Sequence, residues 1–314
     1  MLKTVGIFTA NRAEKGLLDP VYKAIAEAGM RPLWCDAGEE KKDGSARTPF
    51  QWGAAFAEWI VLNGASTPDF FIVPCDREEM VGVALHLFYH NYPFAQFHGG
   101  DIGSGTHDEV GRWIISRCAS IHFCNSIESA GNLIKTGEEE WRVHTVGSTA
   151  FDGIDPEFDK CPTGDFDLLL VHPDTYSLED THRDSLEALG MIDKQTVIIG
   201  PNHDRNNDVV RMNIDNFMGH WHDSTKPLHY YPAGVHRPQF LGLMQRCTRF
   251  ITNSSSALLE LPMFGIAKHV NIGKRNALRL HLKNISGGAS QRIAEILKNL
   301  VIDDNLLRKK FTNP

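Results

Sequence analysis

Residues 96–112 read Q-F-H-G-G-D-I-G-S-G-T-H-D-E-V-G-R, from Gln96 to Arg112. The apolar run Tyr92-Pro93-Phe94-Ala95 before it reads as a buried strand. Trp113-Ile114-Ile115-Ser116-Arg117 after it continues a helix whose apolar periodicity starts at about Val110. Gly99, Gly100, Gly103 and Gly105 let the backbone approach a ligand closely. Around them stand His98, Asp101, His107, Asp108, Glu109 and Arg112. A glycine-rich passage from strand to helix that carries acids, bases and a cation is where an α/β enzyme keeps its chemistry; a plain solvated loop is the competing reading.

The same alternation extends outward on both sides. Thr4–Ala10 predicts a strand, followed by a helix from about Gly16 to Ala28 that stops at Gly29, a residue suited to the C′ position. Arg12 falls between them, at the strand's carboxyl end, where open parallel sheets bind ligands; a surface cation explains it equally well. Arg31–Cys35 is the next strand, Asp36–Pro49 a polar surface loop, Gln51–Asn63 a helix and Asp69–Pro74 a strand. Cys75-Asp76-Arg77-Glu78-Glu79 then precedes a helix from Met80 to Tyr89. Asp76 stands at a strand end, where an Asp also serves as an N-cap worth about 1 kcal/mol. Ala119–Cys124 and Arg142–Gly147 complete a parallel, doubly wound sheet, the latter followed by Ser148, Thr149, Phe151 and Asp152.

Asp155–Asp165, with Pro156, Pro162 and Gly164, reads as a linker, and a second alternating series follows. Its strands end at His172-Pro173, Gly200-Pro201-Asn202-His203-Asp204, Pro232, Asn253-Ser254-Ser255-Ser256 and Gly273-Lys274-Arg275. An amphipathic helix from Ala289 to Leu300 and a charged tail close the chain. The expected fold class is therefore α/β, with two Rossmann-like doubly wound domains facing a cleft, residues 1–154 and 155–314, and with the last helix available to pack back on the first domain. Asn253-Ser254-Ser255-Ser256 precedes a helix at Ala257–Leu261, whose first N–H groups would receive an anion; serine capping with a solvated Glu260 is the alternative. A phosphate loop of the G-x-x-x-x-G-K-[ST] type and a clean G-x-G-x-x-G are both absent from the sequence.

Composition limits the choice of partner. The 314 residues are 42% hydrophobic and 23% charged, with a net charge of −7 and no dense basic run, so no nucleic acid is expected as a partner. An anionic ligand would be held by local cations and helix N-termini against that overall field. The six cysteines form no C-x-x-C pair; they read as small buried hydrophobes, and no metal is expected. His98, Asp101, His107 and Asp108 are conceivable ligands, but proton transfer and ligand hydrogen bonding account for the same residues. No apolar stretch is long enough to span a membrane, and the amino terminus reads as a strand rather than a signal peptide, so a cytoplasmic protein without a membrane partner is expected.

The ordered set of motifs resembles the UDP-N-acetylglucosamine 2-epimerases, especially their hydrolysing branch, which makes free N-acetylmannosamine or related sugars for sialic- and legionaminic-type acids. The pieces are Thr9-Ala10-Asn11-Arg12-Ala13-Glu14, Asp76-Arg77-x-Glu79, His98-Gly99-Gly100-Asp101, Asp108-Glu109-x-x-Arg112, Val146-Gly147-Ser148, His172-Pro173, Pro201-Asn202-x-Asp204, Asn253-Ser254-Ser255-x-x-x-x-Glu260 and Asn271-Ile272-Gly273-x-Arg275. The resemblance implies a GT-B-like pair of Rossmann domains with the nucleotide held mainly by the second. It implies elimination of UDP across C1–C2 to a 2-acetamidoglucal, then addition of water at C1 and return of a proton to C2 from the other face. No cofactor is implied, a UDP-linked nucleotide sugar is the implied partner, and a homodimer or higher homo-oligomer is expected.

By the same resemblance Asp76 and Asp108 are the catalytic carboxylates, with His98 and Asp101 as further proton-transfer candidates and His172 beside the diphosphate. Arg12, Ser254, Ser255, Glu260 and Arg275 correspond to nucleotide contacts; Arg77, Arg112, Ser148, Asn202 and His236 complete the candidate binding set. Many members carry a catalytic Glu immediately before the glycine pair, where this chain has His98; members with His there usually have Glu after the pair, where Asp101 is one methylene shorter. The substrate stays open between UDP-N-acetylglucosamine, a 2,4-diacetamido analogue and another nucleotide sugar. Two other readings remain: a GT-B-type glycosyltransferase, and a nucleotide-sugar-binding protein that has lost catalysis.

Overall fold

The computed structural model describes residues 3–10, 12–35, 47–74, 77–103, 107–202, 204–265, 268–275 and 285–312. The chain divides into two compact units, Met1–Gly153 with Asn284–Pro314, and Ile154–Lys283.

In the first unit, strands β1 (Thr4–Phe8), β2 (Arg31–Cys35), β3 (Phe70–Pro74), β4 (Phe94–Phe97), β5 (Ile121–Cys124) and β6 (Val143–Thr145) form one sheet in the order β2-β1-β3-β4-β5-β6. Every pairing is parallel. The crossovers run through α1 (Arg12–Glu27), α2 (Pro49–Asn63), α3 (Glu78–Tyr89), α4 (His107–Cys118) and α5 (Ile127–Lys135). Side chains of a strand alternate between faces, and the core follows that period. Phe70 and Ile72 pack with α1 and with α10 (Ala289–Asn299), whereas Phe71 and Val73 pack with α2 and α3. The α10 residues Ile293, Ala294 and Leu297 are buried in the first of these clusters, so this last long helix belongs to the first unit.

Local chemistry sets the helix starts. Thr48 and Gln51 form a reciprocal capping box at α2, with Pro49 in its first turn. The helix expected from Val110 begins three residues earlier, at His107, so Asp108 and Glu109 are helical rather than part of the loop. Acids in a first turn complement the partial positive charge of the exposed N–H groups. The strand expected at Tyr92–Ala95 is shifted to Phe94–Phe97, which places Gln96 inside the sheet.

In the second unit β7 (Asp167–Leu170), β8 (Thr196–Ile199), β9 (Leu228–Tyr231), β10 (Arg249–Thr252) and β11 (Lys268–Asn271) form a parallel sheet in the order β11-β10-β7-β8-β9. Helices α6 (Leu178–Gly190) and α7 (Asn207–His220) cover one face; α8 (Arg237–Arg246) and the single turn α9 (Ser256–Leu259) cover the other. Both sheets are doubly wound. Strand order reverses between β1 and β3 in one and between β7 and β10 in the other, and the carboxyl edge beside such a reversal is where open α/β sheets bind ligands.

Candidate active site

At the first reversal point, Arg12 opens α1; its side chain and the whole of Asp76 lie outside the described residues. Arg77 takes the N-cap position of α3 and stands between two buried carboxylates. Its Nη2 is 2.9 Å from Glu79 Oε1 and its Nε is 3.8 Å from Glu14 Oε1. Glu14 also accepts the Ala10 N–H at 3.0 Å. The ends of β1 and β3 are thus tied together through Arg77. Glu14 and Glu79 occur in the quoted motifs, but only the fold brings them to one guanidinium.

The neighbouring strand end carries the turn His98–Asp101, since Phe97 of β4 lies opposite Pro74 of β3. His98 is buried, with φ 58° in the left-handed region, which His enters more readily than β-branched residues do. Its N–H donates to Phe123 O at 2.8 Å, and its ring stacks on Phe97 with centroids 3.9 Å apart. Gly100 has φ 81°, and a Cβ there would meet Ser129 O at 2.0 Å; only glycine lets the turn lie this close to α5. Asn132 Nδ2 donates to Gly100 O at 3.0 Å.

Asp101 lies in that turn. Its Oδ1 accepts from Ser129 Oγ at 2.6 Å and its Oδ2 from Asn125 Nδ2 at 2.9 Å, while Arg112 Nη1 donates to its carbonyl at 2.7 Å. Both carboxylate oxygens therefore hold the turn against α5. Arg112 is buried and faces the turn rather than solvent. Asp108 stands partly exposed in the first turn of α4. Ser148 is buried beyond β6, where its hydroxyl accepts the Ala150 N–H at 3.2 Å and its own N–H donates to Ser286 O at 3.0 Å.

The second reversal point is closed by a reciprocal amide pair. Asn253 Oδ1 accepts the His172 N–H at 2.7 Å, and Asn253 Nδ2 donates to His172 O at 2.8 Å, so β10 and β7 are locked together just where they end. The His172 side chain is buried beside them. The helix expected after Ser256 is a single turn, interrupted by Pro262, and several N–H groups expected to be free are already used. Ser254 N–H donates to Thr252 Oγ1 at 2.9 Å and Ser256 N–H to Ser254 Oγ at 3.3 Å. Ser255 is partly exposed at the N-cap position and makes no side-chain cap bond.

Glu260 is not a solvated residue: it is 5% exposed and forms an ion pair with Arg237 at the start of α8. Arg275 Nη1 donates to Pro173 O at 3.2 Å and its Nη2 lies 3.8 Å from Asp204 Oδ2, which connects the ends of β7, β8 and β11. Asn202 and His236 are exposed, the latter at the N-cap position of α8. Arg237 is the residue that the motifs did not indicate; its partner lies too far along the chain for local spacing to pair them. Among the described residues no group of three or more His, Cys, Asp or Glu is arranged to hold a metal ion, and no helix is long and apolar enough to cross a membrane.

A family model described as UDP-N-acetylglucosamine 2-epimerase matches residues 51–313. The chain belongs to the UDP-N-acetylglucosamine 2-epimerase family. It is 28% identical over 241 residues to the UDP-N,N'-diacetylbacillosamine 2-epimerase (hydrolyzing) of Legionella pneumophila, covering 70% of this chain and 60% of that protein. It is 28% identical over 233 residues to the GDP/UDP-N,N'-diacetylbacillosamine 2-epimerase (hydrolyzing) of Campylobacter jejuni, covering 69% of this chain and 59% of that protein. The chain thus spans about 60% of the length of these curated relatives. Its fold is that of the Methanocaldococcus jannaschii UDP-GlcNAc 2-epimerase solved in complex with UDP-GlcNAc and UDP, with a TM-score of 0.70 at 15% identity, covering 94% of this chain and 99% of that one.

Proposed function

We propose that this member of the 2-epimerase family is a hydrolysing enzyme acting on a UDP-linked 2-acetamido sugar, either UDP-N-acetylglucosamine or a 2,4-diacetamido analogue. The observation that carries this reading is the build of the β4–α4 passage. A buried His98 in a left-handed turn, a carboxylate in the first turn of α4 and an arginine-anchored loop surround one strand end, in a chain whose family catalyses 2-epimerisation. Two similar proteins bear the word hydrolyzing in their names, which supports that outcome over release of a nucleotide-linked epimer.

In the reaction a base removes the C2 proton while the C1–O bond to UDP breaks, leaving a 2-acetamidoglucal. Water then adds its hydroxyl at C1 and a proton enters C2 from the opposite face, giving the free 2-epimeric sugar and UDP. Asp108, together with Asp76, supplies the carboxylates that exchange protons with C2, and His98 is the second proton carrier. An imidazole accepts a proton at one nitrogen and gives one up again, so it serves in either direction. Asp101 and Arg112 hold His98 in place rather than react. Arg12, Arg77, Ser148, Asn202, His236, Ser254, Ser255, Glu260 and Arg275 contact nucleotide or sugar, and His172 stands beside the diphosphate.

The test is an NMR time course in deuterated water with each of the two substrates. The expected products are UDP and a free sugar inverted at C2 and carrying deuterium there. A UDP-linked epimer would replace hydrolysis with plain epimerisation, and transfer to an acceptor without deuterium at C2 would replace epimerisation itself.

A further inference from the structure

Beneath the His98–Asp101 turn a line of buried polar side chains runs through the first unit to its last segment. Lys309 follows the short helix α11 (Asp304–Leu307), and its side chain is only 6% exposed, although the sequence there reads as a charged tail. Its Nζ donates to Ser116 O at 2.5 Å and Ala119 O at 3.0 Å, at the end of α4, and lies 2.6 Å from Glu138 Oε2. The same carboxylate oxygen is 3.2 Å from His122 Nε2 on β5, and Glu138 Oε1 accepts from Arg117 at 2.9 Å. On its other side His122 Nδ1 is 3.2 Å from Gln96 Oε1 on β4. Gln96 Nε2 donates to Arg112 O at 2.9 Å, and Gln96 Oε1 would be 2.5 Å from a Cβ on Gly99.

Burying this many polar and charged groups is expensive, and well-packed apolar residues in their place would be no less stable. Burial pushes His122 down to about 4 and Lys309 down to about 8, the direction in which each sheds its charge. What the line does is geometric. It connects the last segment, the loop after α5, β5 and β4 to Arg112, whose guanidinium holds Asp101 O, and it fills the space under Gly99. We infer that Gln96, His122, Glu138 and Lys309 are positioning residues for the His98–Asp101 turn, so that residues 304–312 are an integral part of the proton-transferring half. The inference rests on the reaction proposed above.

The experiment compares the full chain with His122→Phe, His122→Asn and Lys309→Met. The phenylalanine keeps a planar ring without polar atoms and leaves Glu138 with Lys309 and Arg117. His122→Phe and Lys309→Met are expected to lower kcat for C2 exchange by about 10- to 100-fold with KM within about twofold, because a misplaced reacting group costs rate rather than affinity. His122→Asn, which retains an amide near the Nδ1 position facing Gln96, is expected to recover most of the loss. Independently of turnover, the amides of His98–Asp101 are expected to exchange hydrogen faster in His122→Phe and Lys309→Met, with those of β7 and β10 unchanged. Wild-type kcat in His122→Phe, or faster exchange confined to residues 304–312, would overturn the inference. Absence of turnover in the unsubstituted protein with every nucleotide sugar overturns the reaction alone, and the exchange at His98–Asp101 then still decides the positioning line.

Discussion

The carboxyl edges of the two sheets are built from different chemistry. At the first, Arg77 stands between Glu14 and Glu79, and the next strand end offers His98, Asp101 and Asp108. At the second, a neutral amide pair closes the reversal point, serine hydroxyls line the next turn, and the cations Arg237 and Arg275 stand beside Glu260 and Asp204. A cluster rich in carboxylates with an imidazole suits the movement of protons. Neutral donors and arginines suit the holding of an anion that must keep its charge. The proposal that the first edge serves proton transfer and the second binds the nucleotide rests on this difference.

The largest effect expected is on Asp108→Asn. Removing a carboxylate that exchanges protons with C2 should lower kcat by about 1,000-fold. Solvent-deuterium incorporation at C2 checks it, and wild-type incorporation would move the base elsewhere. Next comes a stability effect that separates the units. Burial holds His122 at about 4 against an ordinary 6.5, so the folded first unit resists protonation. The contribution of His122 to stability is fully present above pH 6.5 and is lost as pH falls toward 4, by about 3 kcal/mol in total. The protection of β4 and β5 amides, taken relative to the intrinsic exchange rate at each pH, should fall over that range in the unsubstituted protein and much less in His122→Phe; an equal fall in the two would remove His122 as the cause. His269 in the second unit is also pushed down by burial but is half-exposed, so β7 and β10 should respond less.

A smaller effect is expected from His98→Asn. Asparagine enters the left-handed region as readily as histidine, so the turn should survive while kcat falls by about 100-fold. A loss in KM alone would make His98 a binding residue and blur the division between the edges. The smallest is expected from Glu260→Gln, which deprives Arg237 of its ionised partner. UDP affinity should fall by about tenfold and kcat should barely move. Unchanged affinity in a titration would detach this ion pair from the nucleotide.

Much of the fold is legible because strand alternation and helical periodicity are local. β2 matches its expected span, and Gly29 with φ 81° ends the first helix region as its position implies. The start of α4 is obscured by the glycines and serine of 103–105, which read as loop, although Asp108 and Glu109 are already suited to a first turn. The site is legible as a set of residues but not as a set of partners. Asp101 reads as a reactive carboxylate; that Asn125 and Ser129 of another loop and helix engage both its oxygens depends on packing. Glu260 and Arg237 are joined only by the fold, and Lys309 lies in a stretch whose charge suggests solvent until Glu138 is brought to it.

The division between the two edges is tested most directly by titrating UDP into the full-length Asp108→Asn and Arg275→Met proteins beside the unsubstituted chain. Asp108→Asn should bind UDP within about twofold of the original, and Arg275→Met about tenfold more weakly. Loss of UDP binding in Asp108→Asn with full binding in Arg275→Met would contradict the assignment of protons to the first unit and nucleotide to the second.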